Sequence, residues 1–109
     1  MTVKELIKAI SADALSLPNE EREVLGVYVG DLLSWVMGRA RENDAWITIM
    51  SNVNTVAVAT LCDVSCIILA EGVKLDPEVL KVACDKGVNV LSADMSAYEL
   101  SVKLSGIIK

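Results

Sequence analysis

Residues 64–70 constrain the fold more than any other segment, because they form a nearly continuous apolar run of strand length. A strand with apolar side chains on both faces has to be covered on both faces. Helices provide this cover when they alternate with the strands of a parallel sheet. The run therefore predicts a central strand in a layered α/β domain.

Strand and helix signals alternate along the rest of the chain. Apolar and β-branched segments predict strands at residues 24–29, 45–50, 64–70 and 88–91, with a further short strand near Leu15. Helical periodicity and capping residues predict helices at residues 3–10 and 53–61, and further helices that open after Asp31, Asp76 and Ser96. Helices between successive strands imply a mainly parallel sheet, so we expect a single α/β domain over residues 1–109.

The charge and the hydropathy of the chain limit its partners. Fifteen acidic residues against ten basic ones give a net charge of −5, which repels the phosphates of nucleic acids and anionic lipids. The hydrophobic fraction of 53% is high for a chain of 109 residues, whose surface is large relative to its volume. We therefore expect a homodimer that binds neither nucleic acid nor membrane.

Two segments bear on localisation. Residues 45–62 carry no charge and approach the length of a membrane-spanning helix, but six Ser, Thr and Asn residues interrupt them. A strand, a turn and a helix account for this run better than a membrane span does. The N-terminal segment is charged and amphipathic, unlike a secretory signal, so we expect a cytoplasmic protein.

The chain lacks the residue patterns of the common catalytic sites. It contains no histidine, which removes the usual general base and the commonest nitrogen ligand of zinc. It contains neither a phosphate-binding P-loop motif nor a Gly-x-Gly-x-x-Gly motif. We therefore expect no catalytic residue, no metal and no cofactor.

Three cysteines, Cys62, Cys66 and Cys84, lie in apolar stretches, which favours reduced and buried thiols. The alternative is a pair of Cys62 and Cys66 that binds metal or cycles between thiol and disulfide. That alternative is disfavoured, because no neighbouring lysine or arginine is present to lower a thiol pKa.

Polar residues follow the carboxyl ends of the predicted strands. Open parallel sheets bind ligands beyond these ends, where helix N-termini also point free N–H groups. The candidate ligand-binding residues at this edge are Asp31, Ser51, Asn52, Asn54, Ser92 and Asp94, and Glu71 and Gly72 share the edge. We expect a small anionic metabolite or a nucleotide as the ligand, with helix capping as the alternative role of the same residues.

The helix after Asp31 is predicted to be apolar on more than one face. Trp35 and Met37 widen a stripe of apolar residues beyond what a single core contact requires. One interpretation is a contact with a second copy or with an enzyme subunit; the other is a helix buried deep in the core.

Several blocks of the sequence resemble the DRTGG domain family. The longest covers residues 21–37, EREVLGVYVGDLLSWVM, and further blocks lie at residues 44–49, 54–59, 66–69 and 96–100. The resemblance implies an α/β domain like the N-terminal domain of HPr kinase/phosphorylase, which serves as a regulatory or dimerising attachment, for example beside the CBS domains of regulated pyrophosphatases. Stand-alone relatives accompany iron-only hydrogenase subunits, which implies an accessory role as the alternative.

The chain departs from the pattern of this family in two places. Of the paired glycine that is usual there, only Gly26 is kept. Residues 51–54, SNVN, replace a series of threonine, histidine, proline and asparagine, so Asn54 alone matches. The resemblance does not extend to a kinase domain, and it therefore implies a non-catalytic regulatory domain that homodimerises, or a module that docks an enzyme complex.

Overall fold

The computed structural model describes residues 1–108, which contain five helices and five strands. The helices are α1 (Val3–Ile10), α2 (Leu33–Arg39), α3 (Val53–Cys62), α4 (Pro77–Asp85) and α5 (Ala97–Ser105). The strands are β1 (Asp13–Ser16), β2 (Gly26–Val29), β3 (Asp44–Thr48), β4 (Cys66–Leu69) and β5 (Val90–Ser92). Our prediction of one domain extends to Lys109, which lies outside the described residues.

The strands form one sheet in the order β1-β5-β4-β3-β2. Strands β2 to β5 pair in parallel with their neighbours, whereas β1 pairs antiparallel with β5 at one edge. A helix separates each parallel strand from the next along the chain, as right-handed crossover connections require. The predicted α/β fold with a mainly parallel sheet is confirmed, and the predicted strand near Leu15 is β1.

Two layers of helices cover the sheet, and β4 contributes side chains to both cores. Ile68 packs on the side of α1 and α5, while Ile67 and Leu69 pack on the side of α2, α3 and α4. All residues of β4 are buried, as its uninterrupted apolar sequence predicts. Each fully buried side chain of this size contributes about 1.5–3 kcal/mol. Among the helices within residues 1–108, none is long and apolar enough to cross a membrane.

Capping residues fix the starts of three helices. Thr2 with Glu5 and Ser96 with Glu99 form capping boxes at α1 and α5, in which the side chain of each residue accepts a bond from the backbone N–H of the other. The side-chain oxygen of Asn52 accepts a hydrogen bond from the backbone N–H three residues later, at 3.2 Å, and so opens α3. These three predicted caps are confirmed.

Of two other predicted caps, the one at Asp31 is wrong and the one at Asp76 is confirmed in position only. The N-cap residue of α2 is Leu32, and the carboxylate of Asp31 is turned toward the end of β3. Asp76 precedes Pro77 at the start of α4 as expected, but its side chain makes no capping hydrogen bond. The proline supplies the helical φ there and has no N–H to satisfy.

Arg22 joins the turns that lead into β3 and β4. Its guanidinium donates to Asn43 Oδ1 at 3.2 and 3.0 Å, to Asp63 Oδ1 at 2.8 Å and to the backbone oxygen of Asp63 at 2.6 Å. Asn43 and Asp63 both adopt left-handed backbone conformations, with φ of 68° and 58°. The arginine therefore holds two tight turns at the amino-terminal edge of the sheet.

Gly26 is required at the start of β2 because a buried carboxylate occupies the space of a side chain. A Cβ at this position would lie 2.6 Å from Asp44 Oδ1. Asp44 is held in place, since its other carboxylate oxygen accepts a hydrogen bond from the backbone N–H of Arg41 at 2.8 Å. The one glycine kept from the usual pair thus has a structural role in β2.

We expect Gly26→Ala to lower the free energy of unfolding by about 1–3 kcal/mol, because the new methyl group displaces Asp44. Gly38→Ala is the matched control: its Cβ would have nothing within 4 Å, and alanine raises helix stability by about 0.5–1 kcal/mol. Urea unfolding of both variants measures the difference. Equal midpoints for Gly26→Ala and the unmodified protein would contradict this account.

Candidate functional site

The carboxyl ends of β2, β3, β4 and β5 lie at one edge of the sheet, since these strands run in parallel. The antiparallel strand β1 brings its amino end, Asp13, to the same edge beside Ser92. Two pockets open there. Four of the six candidate residues predicted from the sequence line these pockets, and the other two lie outside them.

The first pocket, which we call the Lys74 pocket, has a volume of about 390 Å³. It lies where the loops after β4 and β5 meet the start of β1. Its lining residues are Ser11, Asp13, Gly72, Lys74, Ser92 and Asp94. Two candidates, Ser92 and Asp94, are therefore brought together here.

Lys74 places an ammonium group at this pocket. Its Nζ donates to Asp13 Oδ2 at 3.1 Å and to Ser92 Oγ at 3.4 Å. Ser92 is buried and donates its own proton to the backbone oxygen of Val73 at 2.7 Å. The side chains of Lys74 and Asp13 are 56% and 75% exposed, so their ion pair is weak and is readily exchanged for another anion.

Gly72 allows the loop after β4 to lie directly against Asp94. Its φ is +69°, and a Cβ there would lie 2.7 Å from Asp94 Oδ1. The N–H groups of Glu71 and Gly72 donate to the backbone oxygens of Met95 and Ala93, at 2.8 and 2.9 Å. These bonds fix the two loops against each other and define the wall of the Lys74 pocket.

The second pocket, about 460 Å³, lies between the starts of α3 and α4 and contains the candidates Ser51 and Asn52. Its other lining residues are Val53, Asp76, Glu78, Val79 and Val82. Two carboxylates and no basic side chain stand among these described residues. Negative charge at the rim makes this α3–α4 pocket less suitable for an anion than the Lys74 pocket.

The remaining candidates, Asp31 and Asn54, line neither pocket. Asp31 Oδ1 accepts hydrogen bonds from Thr48 Oγ1 at 2.8 Å and from the backbone N–H of Ile49 at 3.1 Å. It therefore ties the end of β2 to the end of β3. Asn54 is exposed on the first turn of α3.

Sequence reasoning missed three residues of the Lys74 pocket: Ser11, Asp13 and Lys74. The first two reach the edge only because β1 is antiparallel, which the sequence pattern does not specify. A signal for Lys74 was present, however. Within residues 1–108, it is the one basic residue in the four loops that follow the parallel strands, at residues 30–32, 49–52, 70–76 and 93–96.

The three cysteines are free, and their environments differ. Cys66 is buried, Cys62 is half-buried and Cys84 is exposed, so the prediction of buried thiols is wrong for Cys84, whose Sγ lies 3.3 Å from Ser16 Oγ. Burial raises the pKa of the Cys66 thiol to about 12. Burial, with a smaller contribution from the Asp44 carboxylate, also raises the pKa of Cys62. Neither environment favours a reactive thiolate.

Within residues 1–108, no three or more Cys, Asp or Glu side chains lie close enough together to hold a metal ion. The pair of Cys62 and Cys66 therefore has no additional acidic or thiol ligand in the part of the chain that the structure describes. A redox role for the pair depends on thiolate character, which the raised pKa values oppose.

Comparison with known proteins identifies a family and a fold. The family model of the DRTGG domain matches residues 5–107. A solved structure of the CBS and DRTGG domains of the regulatory region of Clostridium perfringens pyrophosphatase, complexed with the activator diadenosine tetraphosphate, has the same fold, with a TM-score of 0.75 at 15% sequence identity. The match covers 94% of this chain and 45% of that one, so the chain spans less than half of that structure. No curated protein matches the chain.

We expect Cys84 to react rapidly with a thiol reagent such as DTNB, Cys62 to react more slowly, and Cys66 to react only after unfolding. Because the pKa of Cys66 in the folded state, about 12, lies above its ordinary value of 9.0, stability should fall as the pH rises from 9 toward 12. Thiol counting in native and denaturing buffer measures the reactivity. Cys66→Ala is the control, which should lose only the thiol exposed by unfolding. Rapid reaction of Cys66 in the native protein would contradict its burial.

Proposed function

The chain belongs to the DRTGG domain family, and from this membership we propose that it is a regulatory domain that binds a small anionic metabolite or a nucleotide at the carboxyl edge of its sheet. The proposal is supported by the regulatory region of the Clostridium perfringens pyrophosphatase, which shares the fold and was solved with a dinucleotide activator. In this proposal the domain performs no chemical step; it binds an effector and homodimerises.

The observation that carries the proposal is the position of Lys74. It is the one basic residue of the four loops at the carboxyl edge, within the residues described, and it lines a pocket together with two polar candidates predicted from the sequence. Its present partner, Asp13, is mostly exposed. A phosphate or carboxylate group of a ligand replaces Asp13 at the ammonium group at little cost, because an exposed ion pair contributes little to stability.

The other residues of the pocket restrict the chemistry of the ligand. The carboxylate of Asp94 accepts hydrogen bonds and therefore favours hydroxyl groups, such as those of a ribose. Asp13 and Asp94 together limit the negative charge that the pocket tolerates. We infer that one phosphate lies at Lys74 while a hydroxyl-bearing part of the ligand lies against Asp94.

The α3–α4 pocket extends the proposed site toward Ser51 and Asn52. Lys74 and Asp76, which line the two pockets, are two residues apart, so their Cα atoms are separated by at most about 7 Å. A longer ligand, such as a dinucleotide, reaches both pockets. In this arrangement Ser51 and Asn52 contact its distal half, Asn54 lies at the outer rim, and Asp31 holds the strand ends in register.

We expect an adenine nucleotide, with diadenosine tetraphosphate and ATP as the first probes, to raise the melting temperature of the protein. A ligand at 100 times its Kd adds about 2.7 kcal/mol of stability. Lys74→Ala should abolish this shift, while Lys103→Ala, which removes an exposed lysine on α5, should retain it. An equal melting shift in Lys74→Ala would show that the ligand binds elsewhere. The absence of a shift with nucleotides and with other phosphorylated metabolites would contradict the proposal.

A second candidate function is docking to an enzyme subunit, and the exposure of α2 favours it. Leu32, Trp35 and Met37 are 61%, 55% and 48% exposed, so the alternative interpretation of a helix buried deep in the core is wrong. The short α2 covers the sheet chiefly through Val36, which leaves these side chains outside the core. The guanidinium of Arg39 lies 4.0 Å from the centre of the Trp35 ring. A partner such as an iron-only hydrogenase subunit fits this surface if it offers an apolar patch with acidic groups beside it.

We expect acrylamide to quench Trp35 fluorescence in the isolated protein and to leave Trp46 unquenched, because Trp46 is fully buried and donates its indole N–H to the backbone oxygen of Gly30. Trp35→Phe isolates the signal of Trp46. Quenching of Trp35 that persists in a homodimer favours docking of another protein on α2. Protection of Trp35 on dimerisation would instead assign this face to the contact between copies.

A further inference from the structure

Helix α3 presents an uncharged face to solvent. None of its ten residues is charged, although it lies on the outside of the sheet between α2 and α4. Its exposed residues recur at one-turn intervals and are Val53, Asn54, Ala57, Thr60 and Leu61. A surface helix of a monomer ordinarily carries charges on its outer face, so this face has the character of a contact surface.

The exposed residues of α3 are arranged symmetrically about Ala57. Four positions before and after Ala57 lie the aliphatic residues Val53 and Leu61, and three positions before and after it lie the polar residues Asn54 and Thr60. In a pair of antiparallel helices related by a two-fold axis at Ala57, each residue meets the one equally distant on the other side. Aliphatic side chains then meet aliphatic ones, and the amide meets a hydroxyl with which it can share a hydrogen bond.

The residue at the centre of the α3 face suits contact with a second copy. At the two-fold axis Ala57 lies against its own counterpart, so a charged residue at this position would face an identical charge. Ala57 at the centre is small, which permits close approach of two helices. Val53, Ala57 and Leu61 form an i, i+4, i+8 ridge, the type that packs into the groove of a facing helix.

The groove beside α3 offers a place for the most exposed aliphatic side chain of this face. The α3–α4 pocket adjoins a further pocket of about 310 Å³, and both are lined by Val53 and Val82. Leu61 is 70% exposed and lies about 12 Å along the helix from Val53. The two-fold operation places Leu61 of one copy over Val53 and the groove of the other.

Charges around the groove are complementary under the same operation. Asp76 and Glu78 line its end near the start of α4, and Lys86 lines the opposite end. An antiparallel arrangement brings the acidic end of one copy to the basic end of the other, and it also aligns the two α3 dipoles in opposite directions. A parallel arrangement would place like charges together.

We propose that a second copy of this chain packs antiparallel on α3, with the two-fold axis at Ala57 and with Leu61 of each copy in the α3–α4 groove of the other. This inference rests on the proposed homodimerisation and assigns its interface. The α2 surface and the Lys74 pocket are outside the contact residues that it names, whereas the α3–α4 pocket is shared with the distal half of the longer ligand proposed above.

The test is the mass in solution of the unmodified protein and of Ala57 variants, measured by sedimentation equilibrium. We expect the unmodified protein to have the mass of two chains, and Ala57→Glu and Ala57→Lys each to have that of one chain, 11.7 kDa. An equimolar mixture of the two variants should recover the mass of two chains, because position 57 then meets an opposite charge. Trp35→Glu, which adds the same charge on α2, is the matched control and should remain dimeric.

Each outcome decides between the interface and the dimer itself. If both Ala57 variants remain dimeric, or if Trp35→Glu alone is monomeric, the α3 interface is wrong. Homodimerisation itself is supported in either case. A monomeric unmodified protein overturns both. If the mixture of variants is dimeric, misfolding is excluded as the cause of dissociation. If the mixture stays monomeric while both variants keep the circular dichroism of the unmodified protein, the axis does not lie at Ala57. The melting shift induced by ATP is measured separately in Ala57→Glu, because the proposed phosphate contact of ATP at Lys74 lies outside the interface, and it tests regulation independently.

Discussion

The burial of β4 on both faces is the constraint on which the rest of the structure depends. Its side chains alternate between two cores, so helices are needed on both sides of the sheet, and the neighbouring strands must run parallel to leave room for crossover helices. This topology gathers four strand ends at one edge. The Lys74 pocket lies at this edge of the sheet, and α3 belongs to one of the two helix layers, so both features follow from the topology.

Much of this architecture is predictable because it depends on local signals. The caps at Thr2, Asn52 and Ser96 involve residues three positions apart, and their geometry is confirmed. The Lys74 pocket depends on contacts between distant segments: Asp13 and Lys74 meet across 61 positions because β1 joins the sheet antiparallel. Asp31 shows the same limit, since its carboxylate bonds to Thr48 rather than to the adjacent helix. Residue type and spacing identified the edge, but the grouping of side chains within it required the fold.

The distribution of charge gives the two proposed surfaces different chemistry. The chain has a net charge of −5, but the Lys74 pocket contains one ammonium group. This pocket therefore favours a ligand group with limited negative charge. The exposed residues of α3 carry no charge, and apolar contact together with exclusion of water is the interaction they favour. We therefore expect ionic strength to affect the proposed effector binding more than the proposed self-association.

Arg22 makes the two edges of the sheet differ in how easily they open. Its guanidinium connects two left-handed turns at the amino-terminal edge, so opening either turn breaks several charge-assisted bonds at once. At the opposite edge, an exposed ion pair joins Lys74 in the loop after β4 to Asp13 at the start of β1. Separating Lys74 from Asp13 therefore costs less free energy than opening the turns held by Arg22. If the proposed ligand binds at Lys74, we expect it to shift the loop that carries this residue and to leave the turns held by Arg22 in place.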